Sequence, residues 1–119
     1  VESLSDGHLT ATGPFYGGAR LRLGPSTSLR IGGVRVILAS RKAQLADQQM
    51  FRFLGVEPLE AAILVVKSSV HFRADFEPIA ETVLVCAAPG PMPIDPAALP
   101  WKRLRPGIRI APNGPVFRP

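Results

Sequence analysis

A chain of 119 residues, 46% apolar and 19% charged, is long enough for one domain with a core and too apolar for a disordered segment. Its longest apolar runs, Ala61 to Val66 and Val83 to Ala88, fall far short of the roughly 20 residues a membrane-spanning helix needs. No membrane partner and a cytoplasmic setting are therefore expected. The single cysteine, Cys86, excludes an internal disulfide framework and multi-cysteine zinc sites. The chain opens Val1-Glu2-Ser3 without an initiator Met or a secretory leader, as a piece of a longer protein would.

The net charge of +5 is unevenly distributed. Six bases and no acid lie between Gly7 and Ala46, seven acids and three bases between Asp47 and Asp95, and five bases and no acid from Pro96 onward. Eleven of the 14 bases are Arg, the side chain suited to bidentate pairing with carboxylate or phosphate. Such blocks complement an acidic partner domain, the acidic middle of the same chain, or a nucleic acid. Aromatic residues make up only 7% and are not interleaved with the arginines, which argues against single-stranded nucleic acid.

In chain order, His8 to Tyr16 predicts a strand and Gly17-Gly18 a reversal. Ala19-Arg20-Leu21-Arg22-Leu23 alternates apolar and basic, the period of a strand with one wet face. Leu29 to Ile31, a second double glycine at Gly32-Gly33, and Val34 to Ala39 continue an antiparallel meander with its arginines outward. Ala43 to Leu54 then carries a helical apolar period that stops at Gly55. Ala61 to Val66 and Thr82 to Cys86 predict strands covered on both faces, with Cys86 a small core residue. Between them, Val70 to Phe76 predicts a short helix burying Phe72 and Phe76. From about residue 89 to 119, nine prolines leave room only for an extended arm pinned by Trp101, Leu104 and Ile108, with the last few residues loose. The expected architecture is a single α/β domain spanning 1–119 and bordering on α+β. It comprises an antiparallel β meander, a βαβαβ unit with parallel strands, and the Pro-rich arm.

One stretch concentrates chemistry: Lys67-Ser68-Ser69-Val70-His71-Phe72-Arg73-Ala74-Asp75-Phe76. It sits where a predicted strand gives way to a predicted helix, the end of an α/β sheet at which ligands bind. Ser68 or Ser69 suits a helix cap, Lys67 supplies a point charge, Arg73 a fork and His71 a proton-exchanging ring, together a site for a carboxylate or anionic intermediate. The plainer reading makes Ser an ordinary cap, pairs Arg73 with Asp75 or Glu77, and buries His71 as a hydrogen-bonded residue. Metal ligation inside the chain has little support, because His8, His71 and Cys86 fall at no metal-ligand spacing. Ser69, His71 and Asp75 lie too close along the chain to align as a triad, and the loop from Gly13 to Gly18 lacks the Lys-Ser/Thr pair of a phosphate loop.

These residues resemble the C-terminal domain of the MlrC (microcystinase C)-like zinc metallopeptidases. The resemblance rests on Thr12-Gly13-Pro14-Phe15-Tyr16-Gly17-Gly18, Leu23-Gly24-Pro25-Ser26 and Leu29-Arg30-Ile31-Gly32-Gly33-Val34-Arg35-Val36, then Ile63 through Phe76, Pro89-Gly90-Pro91, Asp95-Pro96 and Leu99-Pro100. It implies a parent enzyme that hydrolyses small peptides with zinc held by a larger N-terminal domain. No catalytic residue, metal ligand or cofactor is then expected in this chain, and no activity from it alone. In that setting Lys67, Ser68, Ser69, His71 and Arg73 would line the peptide cleft and bind a substrate carboxylate or developing oxyanion. Two other roles fit the residues: a structural or assembly domain, including a homo-oligomer through strand edges, and a free-standing binder of anions or nucleic acid.

Overall fold

The computed structural model describes residues 1–88, 90, 93 and 95–117, which gather into two compact units, Val1–Val83 and Leu84–Pro119. Pro89 and Pro91 of the proline-rich stretch quoted above lie outside the described residues.

In the first unit the strands are β1 (Ser3–Ser5), β2 (His8–Thr10), β3 (Arg20–Arg22), β4 (Ser26–Ile31) and β5 (Val34–Ala39). They form two antiparallel sheets, β1-β4-β5 and β2-β3. The β4–β5 hairpin closes at Ile31↔Val34 through Gly32-Gly33, with Gly32 at φ 58, a backbone state open to glycine at little cost. β1 lies along the first half of β4, Ser3 opposite Ser28. Small hydroxyls let β4 pack with its polar groups satisfied: Ser26 and Ser28 share the buried face, where Ser26 Oγ donates to Gly24 O at 2.7 Å, and on the other face Thr27 Oγ1 donates to Ser3 O at 2.9 Å. On the rim, Glu2 takes Nε–H donors from both Arg30 (2.5 Å) and Arg35 (2.8 Å), so these two arginines point outward as their alternation predicts. Arg30 first, then Arg35, holds the Glu2 carboxyl below its ordinary range.

The β2–β3 ribbon also obeys its sequence period, with Leu9↔Leu21 half-buried and His8↔Arg22 and Thr10↔Arg20 exposed. The predicted strand to Tyr16 ends instead at Thr10. Residues 11–19 form a broad loop that reverses at Gly17 and Gly18, both at positive φ.

The predicted helix from Ala43 shrinks to α1 (Gln49–Arg52). Asp47 sets its start, because Asp47 Oδ1 accepts from Gln49 N–H at 2.8 Å and its carbonyl from Met50 N–H at 3.0 Å. The helix stops at Arg52, short of the predicted Leu54, and a turn through Phe53 and Leu54 reverses at Gly55 with φ 74. A single-turn helix, α2 (Arg73–Phe76), follows later and buries the predicted pair Phe72 and Phe76. These join Ala11, Leu23, Ala46, Met50, Leu54 and Val56 in the core, and Phe76 meets Phe51 edge-on at 5.8 Å. Each Leu or Phe so buried contributes roughly 1.5–3 kcal/mol.

The βαβαβ unit is not formed among the described residues. Neither Ala61–Val66 nor Thr82–Cys86 joins a ladder; Ile63 and Val65 are 82% and 88% exposed, Leu84 is 81% exposed, and Cys86 is exposed rather than in the core. A two-faced apolar strand needs strand neighbours and a helix long enough to cover it, and α2 offers one turn. The fold is mixed α/β, mostly strand. Among the described residues no helix is long and apolar enough to cross a membrane.

In the second unit, Pro96–Ala98 forms a 3-10 turn whose first free N–H, at Ala97, is capped by Asp95. Trp101 Nε1–H donates to Pro96 O at 2.7 Å. Residues 107–117 double back rather than run extended: Phe117 N–H donates to Ile108 O at 2.8 Å, Arg109 bridges Val116, and the reversal passes through Asn113 at φ 58.

Candidate functional site

Three segments meet around Gly13. Asp47, fully buried, directs Oδ2 to Gly13 N–H at 2.6 Å, while Asp75 Oδ2 accepts from Gln48 N–H at 2.6 Å. Gln48 returns a bond from Nε2 to Asp75 O at 2.6 Å and accepts from Arg52 Nη2 at 2.8 Å. Arg52 in turn forks onto Glu57 at 2.8 and 2.9 Å, which holds the Glu57 carboxyl below its ordinary range. Position 13 is glycine because the two carboxyl groups crowd it. A Cβ there would lie 2.8 Å from Asp75 Cγ and Oδ2 and 3.1 Å from Asp47 Oδ2.

The loop after Gly13 carries the tie onward. Tyr16 OH donates to Gln44 O at 2.7 Å, and Gln44 Nε2 donates to Ser68 Oγ at 2.5 Å. Burial pushes the Tyr16 phenol above 10.0, the Gln44 bond opposes this, and the Asp47 charge adds to it. Phe15 packs on His71 with ring centres 4.3 Å apart and meets Tyr16 edge-on at 4.8 Å. The frame therefore clamps both ends of the stretch from Lys67 to Phe76, at Ser68 and at Asp75.

The predicted site residues divide on this frame. Ser68 is half-buried and anchored. Lys67, Ser69 and His71 are exposed, and His71 lies against Phe15 instead of being buried. Arg73 pairs with Glu77 one turn on and sits 5.3 Å from the Phe72 ring, as the plainer reading holds. Neither serine caps α2, whose N-cap is Phe72 with no side-chain cap bond, and residues 61–72 leading into it form no strand. The strand-to-helix anion pocket is thus replaced by an exposed patch beside Phe15. Asp75 faces Gly13 and Gln48, while His71 packs on Phe15; the two are not joined in series.

Sequence reasoning missed Asp47, Gln48, Asp75 and Gln44 as the frame. The available signals were an acid at position 47, ending forty residues without one, and a glycine before Pro14 where no positive φ is required. Among the described residues no three His, Cys, Asp or Glu side chains gather as a metal site. The carboxylates of Asp47 and Asp75 are taken up by backbone N–H groups, so the residues present do not fit zinc.

The family model for the MlrC C-terminus matches residues 1–103. No curated protein and no solved structure matches the chain.

Proposed function

Because the chain belongs to the MlrC C-terminus family, we propose that it is the accessory domain of an MlrC-like zinc metallopeptidase, packed on the N-terminal domain and lining its peptide cleft. The zinc and the bond-breaking groups belong to that other domain, in a cytoplasmic enzyme acting on small peptides. This chain contributes binding: Lys67 and Arg73 offer positive charge to a substrate carboxylate, Ser68 and Ser69 offer hydroxyl donors, and His71 a donor whose ring is steadied by Phe15.

The observation supporting this reading is the frame itself. Gln44 at Ser68 and Gln48 at Asp75 fix a segment in which Lys67, Ser69 and His71 stand bare on the surface. A buried polar network serves to hold one arrangement, which is what a binding wall requires.

The test is made in the full-length enzyme. Lys67→Ala and His71→Ala should each lower kcat/KM for peptide hydrolysis about tenfold while zinc content stays at one wild-type equivalent. Wild-type turnover in both variants would refute the cleft assignment and favour a purely assembling role. That second reading draws support from the bare apolar side chains of Ile63 and Val65.

A further inference from the structure

We propose that the outer edge of β3 is a docking edge for an extended acidic segment of polypeptide, which adds a strand there and places alternate carboxylates on Arg20 and Arg22. This goes beyond the cleft reading and does not depend on it.

The backbone supplies the first half of the argument. Ala11 N–H donates to Ala19 O and Leu23 N–H to Gly7 O, so with the register Leu9↔Leu21 the hydrogen-bonded pairs of the ribbon fall on odd-numbered residues. In an antiparallel ladder the intervening residues turn their N–H and C=O groups away from the partner strand. Those of Arg20 and Arg22 therefore face outward, and among the described residues β3 pairs with no strand other than β2. An edge of this kind is a ready template for an added strand.

The side chains supply the second half. Arg20, Arg22, His8 and Thr10 share the wet face of the ribbon and line a shallow groove of about 460 Å³. His8 Nδ1 is held by Asp6 at 3.0 Å, whereas Arg20 and Arg22 make no ion pair among the described residues. At a rise of roughly 3.4 Å per residue, the two arginines stand about 7 Å apart. Glutamates two apart on an added strand repeat the same spacing, so each guanidinium meets one carboxylate. A second copy of β3 would bring Arg against Arg, which excludes self-pairing. The ribbon carries no Phe, Tyr or Trp for a base to stack on, and its one ring, His8, is tied to Asp6, so an acidic peptide is favoured over nucleic acid.

The experiment uses a fluorescent eight-residue peptide alternating Thr and Glu, read by anisotropy with the full chain. Three controls accompany it: a Thr-Gln peptide, a Thr-Glu peptide N-methylated at alternate residues, and an oligodeoxynucleotide of equal length. The expected result is salt-sensitive binding of the Thr-Glu peptide, weakened about tenfold by Arg20→Gln with Arg22→Gln and by N-methylation. The charge-reversed pair Arg20→Glu with Arg22→Glu should prefer a Thr-Lys peptide. Equal binding of the N-methylated peptide, indifference to both arginine variants, no binding of the Thr-Glu peptide, or tighter binding of the oligonucleotide would each overturn the proposal. The N-methylation arm uses the unmutated protein, so it decides even if a variant misfolds.

Discussion

Replacing Gly13 by Ala places one methyl group where two carboxyl groups already meet. The new Cβ would stand 2.8 Å from Asp75 Cγ and Oδ2, a separation side chains do not tolerate, and Asp75 is not free to swing because Gln48 N–H holds it at 2.6 Å. Overpacking of this kind costs about 1–3 kcal/mol. If Asp75 yields instead, Gln48 N–H is left without its acceptor, at a cost of about 1–3 kcal/mol. Alanine's lower unfolded-state entropy returns about 0.4–1 kcal/mol. The net loss is about 2 kcal/mol, which lowers the urea midpoint by roughly 1–2 M at the slopes small domains show. Far-UV circular dichroism during urea titration reads it. Gly33→Ala is the control, since its Cβ would enter open space at no positive φ, and it should shift stability by no more than about 0.5 kcal/mol. Adding Asp75→Ala to Gly13→Ala should cost little beyond Asp75→Ala alone, because the clashing carboxyl is gone. A wild-type midpoint for Gly13→Ala, or strict additivity in the pair, would refute the crowding argument.

Asp47→Ala strands the N–H groups of Gly13 and Gln49 and should cost about 2–5 kcal/mol, with Asp47→Asn losing roughly half of that, by the same titration. The carboxyls of Glu2, held by Arg30 and then Arg35, and of Glu57, held by Arg52, lie below the ordinary 4.5 in the folded state. Their contribution is therefore present above 4.5 and lost as pH falls through the folded values; the acid limb of midpoint against pH should flatten in Glu2→Gln with Glu57→Gln. Tyr16 has the opposite sign: its raised folded value means stability is present below 10.0 and declines above it, and Tyr16→Phe should remove that alkaline decline at the cost of the Gln44 bond. Arg73→Ala breaks a surface pair with Glu77 and a contact with the Phe72 ring and should change stability by no more than about 1 kcal/mol, so under the proposed cleft role a larger loss of peptide turnover reports binding.

Local patterns were legible where the partner lay nearby in sequence. Gly32-Gly33 and Gly17-Gly18 announce reversals, the Arg-Leu-Arg alternation fixes which side of β3 is wet, and Gly55 marks the turn that follows α1. Phe72 and Phe76, four apart, sort themselves to one side of a helix. The Gly13 hub was illegible for a physical reason: its bonds span 34 residues to Asp47 and 27 between Gln48 and Asp75, and no periodicity encodes which distant amide a carboxylate will meet. The two apolar runs failed in another way. An unbroken apolar stretch states that both sides want cover, but not that the covering surface belongs to the same chain.

That distinction bears directly on Lys67. From Ile63 to Ser68 exposure alternates: Leu64, Val66 and Ser68 are half-buried, whereas Ile63, Val65 and Lys67 are bare. The stretch joins no ladder, and it turns tightly at Lys67, where Ser68 N–H donates to Val66 O at 3.1 Å, before Gln44 holds the Ser68 hydroxyl. Lys67 stands bare at that turn, two residues beyond the bare Val65. A surface that covers Ile63 and Val65 and continues over the turn brings the Lys67 ammonium out of water, and an unpaired buried charge costs several kcal/mol. Such a surface must either present a carboxylate to Lys67 or stop short of it and leave a wet, positively charged gap. A carboxylate from the neighbouring domain makes Lys67 an interface residue; a gap leaves it to an anionic substrate. Hydrolysis of neutral against C-terminally charged peptides by Lys67→Ala separates the two, since only the second predicts a loss confined to charged substrates.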